Sequence, residues 1–222
     1  MAQIATLVTG AAVTTIISGQ SQCEAVLVIG SVSTANPLQG LQVEVDGVPF
    51  INVTNNAVLL SALSKWMSQF VSTLVGCVFK IATGRIPKNT TYRLTNNGAT
   101  TPIIYAFSDN DQGVPFLIGT KQINASSYED FEKFSALFIG TPANLASAEM
   151  VFSNGTKATL SFQELDALFS LKNQSEANGE LLGVTVIDNR DQSIRSVRIN
   201  CSAANTIMIA KLPDASFKAL TS

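Results

Sequence analysis

The sequence predicts a mainly-β chain made of two tandem copies of one unit, each carrying a single helix, and three observations lead there. Short apolar or alternating runs recur at close spacing between Gly, Pro and Asn turns. The second half repeats the order of the first at a nearly constant separation. Only 14% of the 222 residues are charged while 46% are hydrophobic, so the chain has ample material for a core and wets its surface with Ser, Thr and Asn. The expected units are residues 1–122 and 123–222.

Each element of the first half has a counterpart in the second. Val26-Leu27-Val28-Ile29-Gly30 answers to Ala136-Leu137-Phe138-Ile139-Gly140, an apolar run of buried-strand length ended by Gly and followed by a polar loop with Pro. Leu41-Gln42-Val43-Glu44-Val45 then alternates with period two, turns at Asp46-Gly47 and continues over residues 48–53. Residues 149–153, Asn154-Gly155 and residues 156–160 repeat this hairpin. Gly at the second turn position supplies the positive φ that a primed turn demands.

Each hairpin runs into a helical pattern. Asn56 caps a helix expected over residues 56–75, with Leu59, Leu63, Trp66, Phe70 and Leu74 on one face and Gly76 as its stop. In the second half Ser161 and Glu164 form a capping box ahead of Leu165, Leu168 and Phe169, in a helix over residues 161–172. A strand follows each helix, Val75-Gly76-Cys77-Val78-Phe79 against Leu182-Gly183-Val184-Thr185-Val186. Arg93-Leu94-Thr95 matches Arg198-Ile199-Asn200, and the next strands are residues 103–107 and 206–210. The seam falls near residues 121–127, a polar loop ahead of one helical turn at 128–133.

The chemistry-bearing residues are few. There is no His, which removes the usual general base, the commonest metal ligand and the standard partner of a nucleophilic Ser or Cys. Phosphate-cradling Gly loops and the G-x-S-x-G nucleophile turn are absent too. Cys23, Cys77 and Cys201 are odd in number and far apart, which reads as buried thiols in a reducing compartment. Three carboxylate pairs have glycosidase-like spacing, Asp109/Asp111, Asp188/Asp191 and Glu129/Asp130. All three are expected in turns or at a helix start, where Asp bonds its own backbone. Asp109-Asn110-Asp111-Gln112-Gly113 has part of a calcium-loop pattern without its downstream Glu. Trp66 is expected in the core, and Arg93 and Arg198 are expected either in water or on a carboxylate of a neighbouring strand or subunit. No catalytic, cofactor-binding or metal-binding residue is therefore expected. Five N-x-S/T sequons, at Asn52, Asn89, Asn124, Asn154 and Asn173, are what so much Asn, Ser and Thr produces by chance.

The formal charge is −2 with no run of like charge, so nothing attracts a phosphate backbone. Lys65 is the first basic residue, and residues 1–64 lack the positive flank of a signal peptide or membrane anchor. Residues 4–19 are apolar but too short and too interrupted to span a bilayer. They read as a first strand, or as an arm against a neighbour or a lipid surface.

A duplicated unit of this size suits an eight-stranded jelly roll. The helix segments 56–75 and 161–172, the Asp46-Gly47 and Asn154-Gly155 hairpins and the Ile29-Gly30 and Ile139-Gly140 strand ends together resemble the double jelly-roll major capsid proteins of tailless icosahedral, membrane-containing phages, the finnlakevirus-like ones among them. The resemblance implies two tandem barrels, each with one short inserted helix. It also implies a bacteriophage virion protein, made in the host cytoplasm, whose homotrimers form pseudo-hexagonal capsomers of an icosahedral shell. Its implied partners are itself, other capsid or vertex proteins, and an internal lipid membrane met by the inner face or the N-terminal arm. Six or seven strands per half are legible where a jelly roll has eight, and residues 1–19 are expected to supply missing ones. The alternatives are a tandem β-sandwich binding module (an adhesin, lectin or virion spike for a glycan or receptor) and a His-free glycosidase. The first would show exposed aromatics and an anchor, the second a working carboxylate pair.

Overall fold

The computed structural model describes residues 2–6, 13–17, 23–30, 38–45, 47–54, 56–66, 70–73, 76–86, 91–96, 103–107, 116–172 and 184–212. The chain forms two compact units, Met1–Ile118 with Leu212–Ser222, and Gly119–Lys211.

The first unit contains β1 (Ala2–Thr6), β2 (Val13–Ile17), β3 (Cys23–Gly30), β4 (Leu38–Val45), β5 (Val48–Val53), α1 (Ala57–Trp66), β6 (Phe70–Thr73), β7 (Gly76–Ile86), β8 (Thr91–Asn96) and β9 (Ile103–Phe107). One sheet runs β1-β9-β3-β7-β6, and four other strands follow in the order β5-β4-β8-β2. The second unit contains β10 (Leu117–Ile123), β11 (Tyr128–Glu132), β12 (Ala136–Ile139), β13 (Leu145–Phe152), β14 (Lys157–Leu160), α2 (Phe162–Lys172), β15 (Thr185–Asp188), β16 (Ile194–Cys201) and β17 (Asn205–Lys211). Its strands are ordered β15-β12-β17-β10 and β11-β16-β13-β14.

With β6 set aside and each unit counted from its own first strand, both give the sheet orders 1-8-3-6 and 2-7-4-5, with the helix between strands five and six. That order is the jelly roll, so the duplication is one of topology. Every matched pair of strands falls on equivalent positions: β3 with β12, β4 and β5 with β13 and β14, β7 with β15, β8 with β16, β9 with β17. The strands missing from the sequence reading are β1 and β2 in the first unit and β10 and β11 in the second. Residues 1–19 thus supply two strands. The helices also correspond, α1 lying against β4 and β7 and α2 against β13 and β15.

The local signals work as expected at most helix and hairpin ends. The Asn56 side chain accepts the Leu59 N–H at 3.0 Å, and Leu59, Leu63 and Trp66 are buried below it. The Trp66 ring meets Phe116 at 5.1 Å between centroids in a tilted contact, a core role. At α2 the Ser161 N–H and hydroxyl both donate to Glu164 Oε2 at 2.8 Å, and the Glu164 N–H returns to Ser161 Oγ at 3.4 Å. The bonds from the Ser161 backbone and then its hydroxyl hold the Glu164 carboxyl below its ordinary value. A lowered folded value means that the stabilisation is complete above the unfolded value and is lost as pH falls through the folded one. Ser161→Ala keeps the larger backbone bond and removes the hydroxyl one, so it should raise the Glu164 midpoint part of the way in a carboxyl NMR titration, and an unmoved midpoint would count against the hydroxyl bond.

Four expectations are corrected. The first helix stops at Trp66, because Phe70–Thr73, with β-branched Val71 and Thr73, forms β6 and pairs with β7, Phe70 opposite Phe79 and Thr73 opposite Gly76. Leu74, Val75, Leu182 and Gly183 lie outside the described residues. Residues 128–133 are not a helical turn: Tyr128–Glu132 is β11, in antiparallel register with Asn200 to Ser196 of β16. Both hairpin glycines do have positive φ, 77° at Gly47 and 84° at Gly155. The first loop is two residues long, between paired Val45 and Val48. The second is a three-residue loop, in which the Gly155 N–H donates to Phe152 O and the Phe152 N–H to Thr156 O, both at 2.9 Å, with Gly155 as the bulge residue. Finally, Leu168 is exposed on α2, while Leu165 and Phe169 are buried.

The core of the second unit sits between its two sheets, filled by Leu137, Ile139, Ala148, Met150, Val197, Ile199 and Ile207 and closed by Leu165 and Phe169 of α2. Each fully buried side chain of this kind contributes about 1.5–3 kcal/mol. β12 is buried at all four positions, which is why it reads as a continuous apolar run. In the first unit Leu41, Val43, Ile51, Val53, Leu59 and Leu63 are buried. No helix among the described residues is long and apolar enough to cross a membrane.

Candidate functional site

Alternation along the strands turns Phe131, Met150, Val197 and Ile199 into the core, and so sets Asp130, Glu149 and Arg198 on the outer face of the sheet β11-β16-β13-β14. These side chains form one row, because Asp130 is opposite Arg198, Arg198 opposite Glu149 and Glu149 opposite Thr159. Arg198 grips Asp130 with two parallel bonds, Nε to Oδ1 at 2.9 Å and Nη2 to Oδ2 at 3.1 Å. Its guanidinium carbon stands 4.5 Å from the centroid of the Tyr128 ring. One row along, Asn200 Nδ2 donates to Ser147 Oγ at 2.9 Å and to Glu149 Oε1 at 3.2 Å. Asp130, Glu149, Lys157, Thr159, Ser196 and Arg198 line a shallow groove of about 290 Å³.

The hydrogen bonds from Arg198 hold the Asp130 carboxyl below the usual aspartate range; burial opposes them, and the charge of Arg198 adds the smallest contribution, again downward. Both partners are substantially exposed, so solvent screens the pair and it adds little to the stability of the fold. The row orients a surface more than it stabilises the fold. Arg198 thus pairs with a carboxylate on the adjacent strand while its side chain stays in contact with solvent.

The sequence-selected acids do not assemble into a dyad among the described residues. Glu129 and Asp130 are mid-strand neighbours on opposite faces, not residues of a helix start, and they take different cations: Glu129 pairs with Lys121 and Asp130 with Arg198. Asp188 Oδ1 accepts the Arg190 N–H at 3.0 Å and its carboxylate also holds the Arg190 guanidinium, while Asp191 Oδ1 accepts the Ser193 N–H at 3.0 Å. These are the local turn bonds expected of Asp. Asp109 and Asp111 lie outside the described residues. Among the described residues no group of three His, Cys, Asp or Glu side chains could hold a metal ion. Cys201 is buried, and that burial pushes its thiol upward, partly offset by a hydrogen bond with Asn205. The sequons at Asn52, Asn124 and Asn154 are exposed, and those at Asn89 and Asn173 lie outside the described residues.

Sequence reasoning missed Tyr128, Glu149 and Asn200 as members of one surface, and it missed two buried amides. Asn189 is 3% exposed and makes three side-chain bonds. Asn205 exchanges two bonds with the Thr141 backbone. The only signal for the row was Arg93 and Arg198 at matched repeat positions.

No family model matches the sequence, and no curated protein matches it. Solved structures do. The major capsid protein P2 from bacteriophage PM2 is similar at 14% identity and a TM-score of 0.57, over 92% of this chain and 94% of that one. The STIV MCP is similar at 12% identity and a TM-score of 0.58, over 97% of each chain. At such identities the likeness is one of fold, and the fold is the double jelly roll with one short helix in each barrel.

Proposed function

We propose that this chain is a major capsid protein, a non-enzymatic shell component whose copies assemble as trimeric, pseudo-hexagonal capsomers of an icosahedral virion. The observation that carries the reading is whole-chain likeness to two proteins described as major capsid proteins, combined with the same strand order in both units. Two jelly rolls per copy let a trimer present six similar units around its axis, so a threefold object fills a nearly sixfold place in a lattice. The polar, low-charge surface suits packing between copies. The chain would be made in the host cytoplasm and incorporated in the virion, with vertex proteins and an internal lipid layer as further partners.

Light scattering across a concentration series and electron microscopy of the full chain test this directly. Trimers that tile into hexagonal arrays are expected, with contacts burying more than about 1,000 Å² between copies. A strict monomer at every concentration would overturn the reading.

A further inference from the structure

Two kinds of strand edge recur in the duplicated topology, and they are joined in one instance and open in the other. β5 does not end its sheet: Ile51 pairs in parallel with Ile118, the second residue of β10 and the last of the stretch Met1–Ile118 that belongs to the first unit. The strand equivalent to β5 is β14, and the strand equivalent to β10 is β1. β14 ends the order β11-β16-β13-β14 and β1 ends the order β1-β9-β3-β7-β6, so among the described residues neither has a strand on its outer side.

An open edge presents unpaired N–H and C=O groups to any strand that can reach it, and charged residues are the usual guard. β1, Ala-Gln-Ile-Ala-Thr, has no charged residue, and β14 has only Lys157. At the other end of the same sheet as β14, β11 has three acids, Glu129, Asp130 and Glu132. The Phe152 N–H donates to Thr156 O at 2.9 Å, and opposed residues of an antiparallel pair alternate between bonded and unbonded. Ala158 and Leu160 therefore bond inward to Met150 and Ala148, while Lys157 and Thr159 turn their backbone groups to the open side.

We propose that β1 of a neighbouring copy pairs in parallel with β14, repeating between copies the junction that β10 makes with β5. This rests on the self-assembly reading above: with six similar units around one axis, the strand contact made at β5 recurs at β14, and the next copy supplies the strand for it. Two different strands meet, so the interface is head-to-tail and can close into a ring. The chain's own end after β17 is the other strand-length candidate, but Leu212–Ser222 belongs to the first unit and not to the unit that holds β14.

The test uses the full chain, with association followed by light scattering and native mass spectrometry. Thr159→Pro removes one outward N–H and sets a ring on the open edge without touching the ladder to β13, so it should weaken association roughly tenfold or more. Thr159→Ala keeps that N–H and should weaken association far less. Melting temperatures report whether each variant folds. Should Thr159→Pro fail to fold, a photo-cross-linking side chain placed at Thr159 in mixed light- and heavy-isotope copies should capture residues 1–6 of another copy. Capture of residues 212–222 of the same copy, or a folded Thr159→Pro that associates like wild type, would overturn this contact while leaving assembly standing. A wild type that stays monomeric overturns the assembly reading before any variant is made.

Discussion

Phe169→Ala should cost about 3–5 kcal/mol of unfolding free energy, a large part of the roughly 5–15 kcal/mol that holds a typical domain together. Phe169 is 2% exposed and, with Leu165, carries α2 into the core of the second jelly roll. Truncation removes the transfer free energy of the ring and leaves a cavity that the surrounding strands cannot fill without breaking their ladders. Urea unfolding of the full chain measures it, with the change confined to the transition of the second unit. A loss under about 1 kcal/mol would mean that the helix is not part of that core.

Asn189→Leu should be as damaging for the opposite reason, since it fits the volume and fails the polarity. The Asn189 amide donates to Phe134 O at 3.1 Å and Ile194 O at 2.8 Å and accepts the Ile194 N–H at 2.8 Å, all in a buried setting. Removing it strands three backbone groups at about 1–3 kcal/mol each, less whatever water can reach them, so a net loss near 3–5 kcal/mol is expected. Chemical denaturation of the variant checks this. A cost below about 1 kcal/mol would show that the loop between β15 and β16 rearranges freely around the missing amide.

The parts of this protein legible in the sequence are those set by nearest neighbours along the chain. Gly47 and Gly155 announce hairpins because only a residue without Cβ takes positive φ cheaply. Asn56, Ser161 and Glu164 mark helix starts because a cap bonds within three residues. The apolar run at β12 is visible because the strand is buried on both faces. These signals recur in order, so the duplication and the all-β class followed from the sequence alone. Only the tertiary structure decided the rest. Tyr128–Glu132 has only Tyr128 and Phe131 among three acidic residues, and it became a strand because Asn200 to Ser196 lay ready to pair with it about 70 residues later. Phe70–Thr73 left the helix pattern for β6 because β7 offered a ladder. Asp130 found Arg198, and Asn189 found Phe134, across separations that no local window spans. Hydrogen-bonded strand partners and surface rows are properties of chain segments brought together by the fold, and their energies belong to pairs distant in sequence, so composition and periodicity carry no trace of which pairs will form.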